Sequence, residues 1–368
     1  MQSSSLNYCT QWRSDTIKIL NLNGSAHEMG RKHGQLAKEE IEFSLDSYEK
    51  LFWHERNIEW DEAVELAKSH VDAIKETNVE LLEEIEGIAE GASVRFEDIL
   101  ALNARSEIAL TGNKHDGCTS VAVMPPLGQK AYLAQTWDWR SSQSRSLVAL
   151  RIKKENGVKI NMITEGGIIG KIGSNNHGLG VCLNAIRSEV KTDQLPIHLG
   201  LREILNSMTL EEAQDKVANG KIASSANMLI AQDNINQKRA INMELSPQHF
   251  DTRETKSSYL YHTNHFCSTH LNKKLHTHTK ENSFIRKDRM KDLIEAHARE
   301  SVTESDIKGW LSDHANTPNS ICRHKNHHLS DYEDSITAFA VIMNLTDRKM
   351  HVMEGQPCNP IQAYNFRF

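Results

Sequence analysis

Gly117-Cys118, within His115-Asp116-Gly117-Cys118-Thr119-Ser120, is the pair of residues in this chain best suited to covalent chemistry. A glycine lets the backbone bend and leaves its own carbonyl open to a neighbouring thiol. Attack by the Cys118 thiol on the Gly117 carbonyl would shift the peptide to a thioester, and water would then release a free α-amine on Cys118. Such an amine titrates at about 7.7 to 8.0, so it can act as general base for the thiol of its own residue with no separate histidine. On spacing alone, a buried structural cysteine at a strand start explains the pair better.

Other familiar motifs fail. Gly166-Gly-Ile-Ile-Gly170-Lys171 resembles a phosphate loop, but Lys171 is followed by Ile172 and the first glycine position is Glu165, so the phosphate cradle is incomplete. No GxGxxG is present, and no GxSxG that would mark a serine elbow. His54-Glu55 lacks the second histidine of a zincin, and the 19 histidines show no metal-ligand spacing. The six cysteines form no CxxC pair, and Cys182 and Cys322 read as ordinary buried thiols. No metal and no cofactor are expected.

The elements that must position this chemistry change in kind at Gly117. Before it, apolar residues recur at helical spacing after a short strand from Ile17 to Leu22, and Ser25-Ala-His-Glu28 has the form of a capping box. Helices are predicted from Ser25 to about Leu51, over Trp60–Ile74 and Val79–Ala89, and over Phe96–Ala109. After Gly117 come short β-rich runs, from Thr119–Met124 to Met350–Met353, with helical segments such as Ile197–Ser207 and Phe284–His297 between them. That order predicts an α+β fold of stacked sheets covered by helices. The His/Lys-rich stretch from Ser268 to Asn282 reads as a solvated loop. The chain has 368 residues, of which 38% are hydrophobic and 25% charged, enough for a large core. With 7 prolines and no Gly/Ser-rich tract, one integrated domain is expected. A net charge of −6 without a basic stripe argues against nucleic acid, and no apolar run approaches the roughly 20 residues of a membrane span. Residues Met1 to Asp15 lack a signal-peptide core, and the final Phe-Arg-Phe is no peroxisomal tripeptide, so a cytoplasmic location is expected.

Several segments read together give a family resemblance. Asp116-Gly-Cys-Thr-Ser120, Ala134-Gln-Thr-Trp-Asp-Trp139 and Thr164-Glu-Gly-Gly-Ile-Ile-Gly-Lys-Ile-Gly173 resemble isopenicillin N acyltransferase, the acyl-coenzyme A:6-aminopenicillanic acid acyltransferase family of N-terminal nucleophile hydrolases. Met29-Gly-Arg-Lys-His-Gly34, Glu84-Ile-Glu-Gly-Ile-Ala-Glu-Gly91, Leu102-Asn-Ala-Arg-Ser-Glu107, Leu183-Asn-Ala185, His262-Thr-Asn-His265 and Ser320-Ile-Cys-Arg323 agree in order. The resemblance implies a four-layer αββα sandwich. It also implies a precursor cut between Gly117 and Cys118, into a mostly helical piece of residues 1–117 and a catalytic piece of residues 118–368 that stay associated.

Carried over residue by residue, the resemblance makes Cys118 the nucleophile and Asp138 a catalytic carboxylate that holds or orients the α-amine. It makes Asn264 an oxyanion donor, and Arg323 a cation that lowers the thiol pKa or anchors Asp138. Asn184 is a weaker candidate for contact with the oxyanion or substrate. Where the family commonly has Asn-Trp-Asp this chain has Thr136-Trp137-Asp138; if that position shapes the pocket, the substrate differs from the penicillin precursor. The implied partners are a small amide or thioester, with acyl-coenzyme A admitted as a co-substrate. The related β-alanyl-dopamine hydrolase makes cleavage of β-alanyl amines the alternative. A non-catalytic binding protein on the same fold and a conventional Cys/His protease are the remaining readings.

Overall fold

A computed structural model describes residues 16–109, 117–255, 258–275, 277, 279–297, 301–330 and 333–368. The polar N-terminus to Asp15 and His115-Asp116 of the cysteine motif lie outside the described residues. Strand β1 (Lys18–Asn23) leads into helix α1 (Ala26–Leu36) through the expected capping box. Ser25 Oγ accepts from the Glu28 N–H at 3.3 Å, and Glu28 Oε2 accepts from the Ser25 N–H at 2.9 Å. The single helix predicted to Leu51 is interrupted: the backbone leaves helical geometry at Ala37, and α2 (Lys38–Arg56) starts afresh. Next come α3 (Trp60–Lys68), α4 (Val71–Thr77), α5 (Val79–Ala92), α6 (Phe96–Asn103) and α7 (Arg105–Ala109). The predicted helices over 60–74 and 96–109 are thus each split as well, by short turns at 69–70 and at Ala104.

The second part supplies β2 (Gly117–Val123), β3 (Tyr132–Arg140), β4 (Leu147–Lys153), β5 (Lys159–Glu165), β6 (Ile172–Asn175) and β7 (Leu179–Ala185). Helices α8 (Ile197–Asn206) and α9 (Leu210–Val217) precede β8 (Ala226–Asp233), β9 (Lys238–Leu245), β10 (Phe250–Thr255) and β11 (Tyr259–His262). Helices α10 (Thr269–Lys274), α11 (Glu281–His297) and α12 (Glu304–Leu311) lead to β12 (Ser335–Asn344), β13 (Lys349–Glu354) and β14 (Gln362–Arg367). Strands β6, β10 and β14 are not foreseen by the sequence. β10 and β14 are sheet edges with few buried residues, so their apolar alternation is weak, and β6 is four residues of Ile-Gly-Ser-Asn. The stretch expected to be a loop from Ser268 contains α10, capped by Ser268 Oγ and anchored by buried Leu271.

The strands form an eight-stranded sheet, order β1-β4-β5-β6-β7-β8-β9-β10, and a six-stranded sheet, order β11-β2-β3-β12-β13-β14. The six-stranded sheet is antiparallel throughout, whereas β1 runs parallel to β4 at the edge of the larger one. The two sheets face each other, with β2 and β3 against β7. The inner face of the smaller sheet joins the main core through Cys118, Leu133 and Trp137. Its outer face carries Val121, Tyr132 and Ala134, packed under Met290 and Ile294 of α11 and Trp310 of α12. Helices α1, α2, α8 and α9 lie against the larger sheet. The layers therefore run helix, sheet, sheet, helix, the αββα sandwich that was expected.

One helix crossing is unusually close. A Cβ on Gly30 of α1 would sit 2.1 Å from the Glu84 carbonyl oxygen, and one on Gly91 of α5 would sit 2.1 Å from that of Arg31. Only glycines allow α1 and α5 this backbone contact, which accounts for the glycines of Met29–Gly34 and Glu84–Gly91. Buried polar contacts then tie this helical layer to the rest: Glu84 meets Arg202 of α8 at 2.7 and 3.1 Å, and Asn103 bonds Gly167 O at 2.9 Å and Ile169 N at 3.0 Å.

Candidate active site

Cys118 is the second residue of β2, opposite Trp137 of β3. The β11–β2 ladder ends at the pair His262–Ser120. Two residues further on, the side chain of Asn264 takes over: its Oδ1 accepts the Cys118 N–H at 2.9 Å, while its Nδ2 donates to Ala185 O at 3.0 Å. The Cys118 carbonyl is held from two sides, by Arg286 Nη1 at 2.7 Å and by Asn184 Nδ2 at 3.2 Å. Arg286, on α11, also donates to Asn264 Oδ1 at 2.9 Å and to Thr119 Oγ1 at 3.0 Å. The N–H and the carbonyl of Cys118 are thus both held by side chains, the carbonyl by two buried ones and the N–H by half-buried Asn264.

Strand alternation divides the candidates between two faces. Gly117 and Asp138 are cross-strand partners on the outer face, under α11. Asp138 is fully buried and its Oδ1 accepts Thr337 Oγ1–H at 2.7 Å. Its Oδ2 has no hydrogen-bond partner among the described residues, lies 4.0 Å from Arg323 Nε, and would be 2.9 Å from a Cβ on Gly117. Burial raises this carboxyl above the ordinary aspartate range, against the pull of Arg323 and Arg286. Arg323 is buried too; its N–H donates to Thr337 Oγ1 at 2.9 Å and its Nη1 to Ser335 Oγ at 3.3 Å. Asn184 has both amide hydrogens directed at main-chain carbonyls, of Cys118 and, at 3.5 Å, of His262, and its Oδ1 accepts Ser120 Oγ–H at 2.6 Å. Thr136 is buried on the outer face, and among the described residues its Oγ1 has no hydrogen-bond partner.

On the inner face lies a charged group that sequence reasoning missed. Lys171 is fully buried, its Nζ 3.4 Å from the centre of the Trp137 ring, and it pairs with Glu165. Glu165 also accepts from Tyr48 Oη at 2.5 Å and from Arg105 Nη2 at 3.1 Å. Burial would raise the Glu165 carboxyl, but Arg105 and Lys171 hold it down, to about 2. Burial draws Lys171 down to about 7, with Glu165 opposing and Arg105 assisting, and Lys171 and Cys118 feel each other's charge. Both lie in the failed phosphate-loop motif, Glu165 in place of its first glycine and Lys171 at its lysine position, so that motif was the available signal. Arg286 carried none: it is one of several charges in a polar helix.

A model of the acyl-coenzyme A:6-aminopenicillanic acid acyl-transferase family matches residues 126–359. The 40 kDa form of acyl-coenzyme A:6-aminopenicillanic-acid-acyltransferase from Emericella nidulans is 32% identical over 353 residues, 94% of this chain and 94% of its own length. This chain belongs to that family. Solved structures it resembles include the conjugated bile acid hydrolase of Clostridium perfringens, with TM-score 0.49 and 14% identity over 68% of this chain and 92% of the other. Another is the penicillin V acylase of Agrobacterium tumefaciens, with TM-score 0.42 and 11% identity over 68% and 86%.

Within this acyltransferase-family chain, several segments behind the resemblance meet at the cysteine strand, through Trp137, Asn184 and Asn264. Arg105 reaches Glu165, and Glu107 Oε1 accepts from Ile197 N at 3.0 Å and Ser224 Oγ at 2.7 Å. The Arg105 contact holds the end of β5, from which the chain turns to Lys171. Chemically, the site offers a thiol facing a buried ammonium, a main-chain nitrogen with a side-chain acceptor, and a carboxylate beside the preceding glycine. Among the described residues, clusters of metal-ligating side chains include none of Cys118, Asp138 and Asn264. No described helix is long and apolar enough to cross a membrane.

Proposed function

We propose that this family member cuts itself between Gly117 and Cys118, and then transfers acyl groups of small amides or thioesters through a thioester on Cys118. The observation that carries the reading is the Cys118 nitrogen, whose N–H meets Asn264 Oδ1 at 2.9 Å where a ladder partner would otherwise stand. In the first step Sγ attacks the Gly117 carbonyl carbon, the C–N bond breaks, and the proton passes to the departing Cys118 nitrogen. Water then hydrolyses the thioester, leaving a Gly117 carboxylate and a Cys118 amine. Asn264 Oδ1 accepts from that amine, and Asp138, whose Oδ2 makes no hydrogen bond among the described residues, is the carboxylate that holds its charged form.

In turnover, the amine takes the thiol proton, Sγ attacks the substrate carbonyl, and the leaving amine or thiol collects the proton as the acyl group passes to sulfur. Water or an acceptor amine then removes the acyl group and regenerates the thiol. An amide has two donor hydrogens, so Asn264 can give one to Ala185 O and the other to the oxyanion. Asn184 serves by fixing the Cys118 main chain, and the substrate is a small molecule.

Intact-mass spectrometry of freshly purified protein beside Cys118→Ala tests the proposal. Two fragments meeting between Gly117 and Cys118, with the variant whole, are expected. A wild-type chain that stays whole on incubation would sink it.

A further inference from the structure

Beyond the outer end of β12, four side chains that play no part in the proposed chemistry direct their ligand atoms at one point. His314 follows α12, Cys322 and His324 flank Arg323, and Cys358 lies in the turn between β13 and β14. Their ligand atoms all lie within 4.8 Å of one another. The separations are 3.7 Å for Cys322 Sγ to Cys358 Sγ and 3.7 Å for Cys322 Sγ to His324 Nε2. Cys358 Sγ is 3.4 Å from His324 Nε2, which is 3.0 Å from His314 Nε2.

These are four of the six edges of a metal-ligand tetrahedron, and the other two, from His314 to each sulfur, do not exceed 4.8 Å. With Zn–S bonds of about 2.3 Å and Zn–N bonds of about 2.0–2.1 Å, tetrahedral angles require about 3.8 Å between sulfurs, about 3.6 Å from sulfur to nitrogen and about 3.3 Å between nitrogens. Each of those four separations falls within about 0.4 Å of its ideal value. The two sulfurs are well beyond the disulfide bond length of about 2.05 Å. Two thiolates with two imidazoles suit zinc, whereas calcium and magnesium take oxygen ligands.

The scaffold is prearranged. Cys322 N donates to Asp313 O at 3.0 Å, Ser320 Oγ to Cys322 O at 2.7 Å, and Thr317 Oγ1 to His314 O at 2.7 Å. Arg289 of α11 grips Asp313 at 2.6 and 3.0 Å. Cys322 is buried, while His314, His324 and Cys358 reach the surface, giving an ion a way in. The other converging cluster, Glu244, His262 and Cys267, differs: Glu244 is already engaged by His262 Nε2 at 2.8 Å, Cys267 N at 2.7 Å and Ser268 N at 2.9 Å.

We propose that His314, Cys322, His324 and Cys358 bind one zinc ion in a closed, four-protein-ligand site that staples three loops at the end of the six-stranded sheet. Two of the ligands bracket Arg323, so the ion also fixes the segment that carries this guanidinium toward Asp138. Binding releases the two thiol protons as the sulfurs become thiolates, with no redox change. The assignment does not depend on self-cleavage at Cys118.

The test is metal analysis of full-length protein purified without a histidine tag, both as isolated and after incubation with zinc under reducing conditions. About one zinc per chain is expected, and cobalt substitution should give the intense visible bands of a tetrahedral site together with sulfur-to-cobalt charge transfer. His314→Ala and Cys358→Ser should each lose most of the metal and lower the thermal midpoint. Wild type with only traces of zinc after reconstitution would overturn the proposal, as would full zinc content in Cys358→Ser. A Cys322–Cys358 disulfide in the protein as isolated, persisting after reduction and reconstitution, would overturn it equally.

Discussion

At the scale of single residues, Lys171 is the group whose surroundings demand a role. A fully buried ammonium over an indole ring, with its pKa drawn down to about 7 by burial, is costly unless something gains from it. Glu165 already has Arg105 and Tyr48 as partners, so Lys171 is more than a neutraliser. A cation on the thiol's side of the strand favours the thiolate, and one pKa unit of such coupling is tenfold in thiolate fraction. Lys171→Met should therefore slow iodoacetamide labelling of Cys118 at neutral pH on the order of threefold to tenfold, read by peptide mass mapping. An unchanged labelling rate would confine Lys171 to a structural part. Asp138 and Asn264 were legible because they sit in recognisable short motifs. Arg286 and Lys171 were not, because each reaches the cysteine only through tertiary packing, from α11 and from the β5–β6 turn.

Between elements, the α1–α5 crossing is a tight constraint. Backbone-to-backbone contact at Gly30 leaves no room for a methyl group, since a Cβ there would fall 2.1 Å from Glu84 O. Gly30→Ala must push the helices apart at an overpacking cost of about 1–3 kcal/mol, and thermal or denaturant unfolding should show the loss. A variant as stable as wild type would mean that the crossing relaxes freely. Elements with a buried stripe or a capping box were readable from sequence: α1 has both, and β2, β3, β5 and β12 are strongly apolar runs. The breaks at Ala37 and Ala104 were not, because no glycine or proline marks them. Edge strands β10 and β14 escaped because solvent, not core, faces most of their side chains.

Taken whole, the molecule joins its two parts through buried charge. Glu165 binds Tyr48 and Arg105 from the part before Gly117, and Lys171 from the part after it. Its folded pKa, about 2, is below the ordinary value of 4.5. A depressed carboxylate adds stability that is fully present above the unfolded pKa and is lost as pH falls through the folded one. Between pH 4.5 and about 2, wild type should therefore lose stability more steeply than Glu165→Gln, measured by denaturant unfolding along a pH series. Equal slopes would remove Glu165 as a link between the parts.

The β1–β4 ladder and the Glu84–Arg202 pair both cross from the first part to the second. Breaking the Gly117–Cys118 bond would change the number of chains without changing the number of particles. The translational freedom that two separate polypeptides would gain is withheld by a sheet edge and a sealed ion pair that neither can leave without exposing its core. If the chain is cut there, such halves would not exchange with free copies of themselves, each molecule would keep the partner it was synthesised with, and a protease would have to unfold both to remove either.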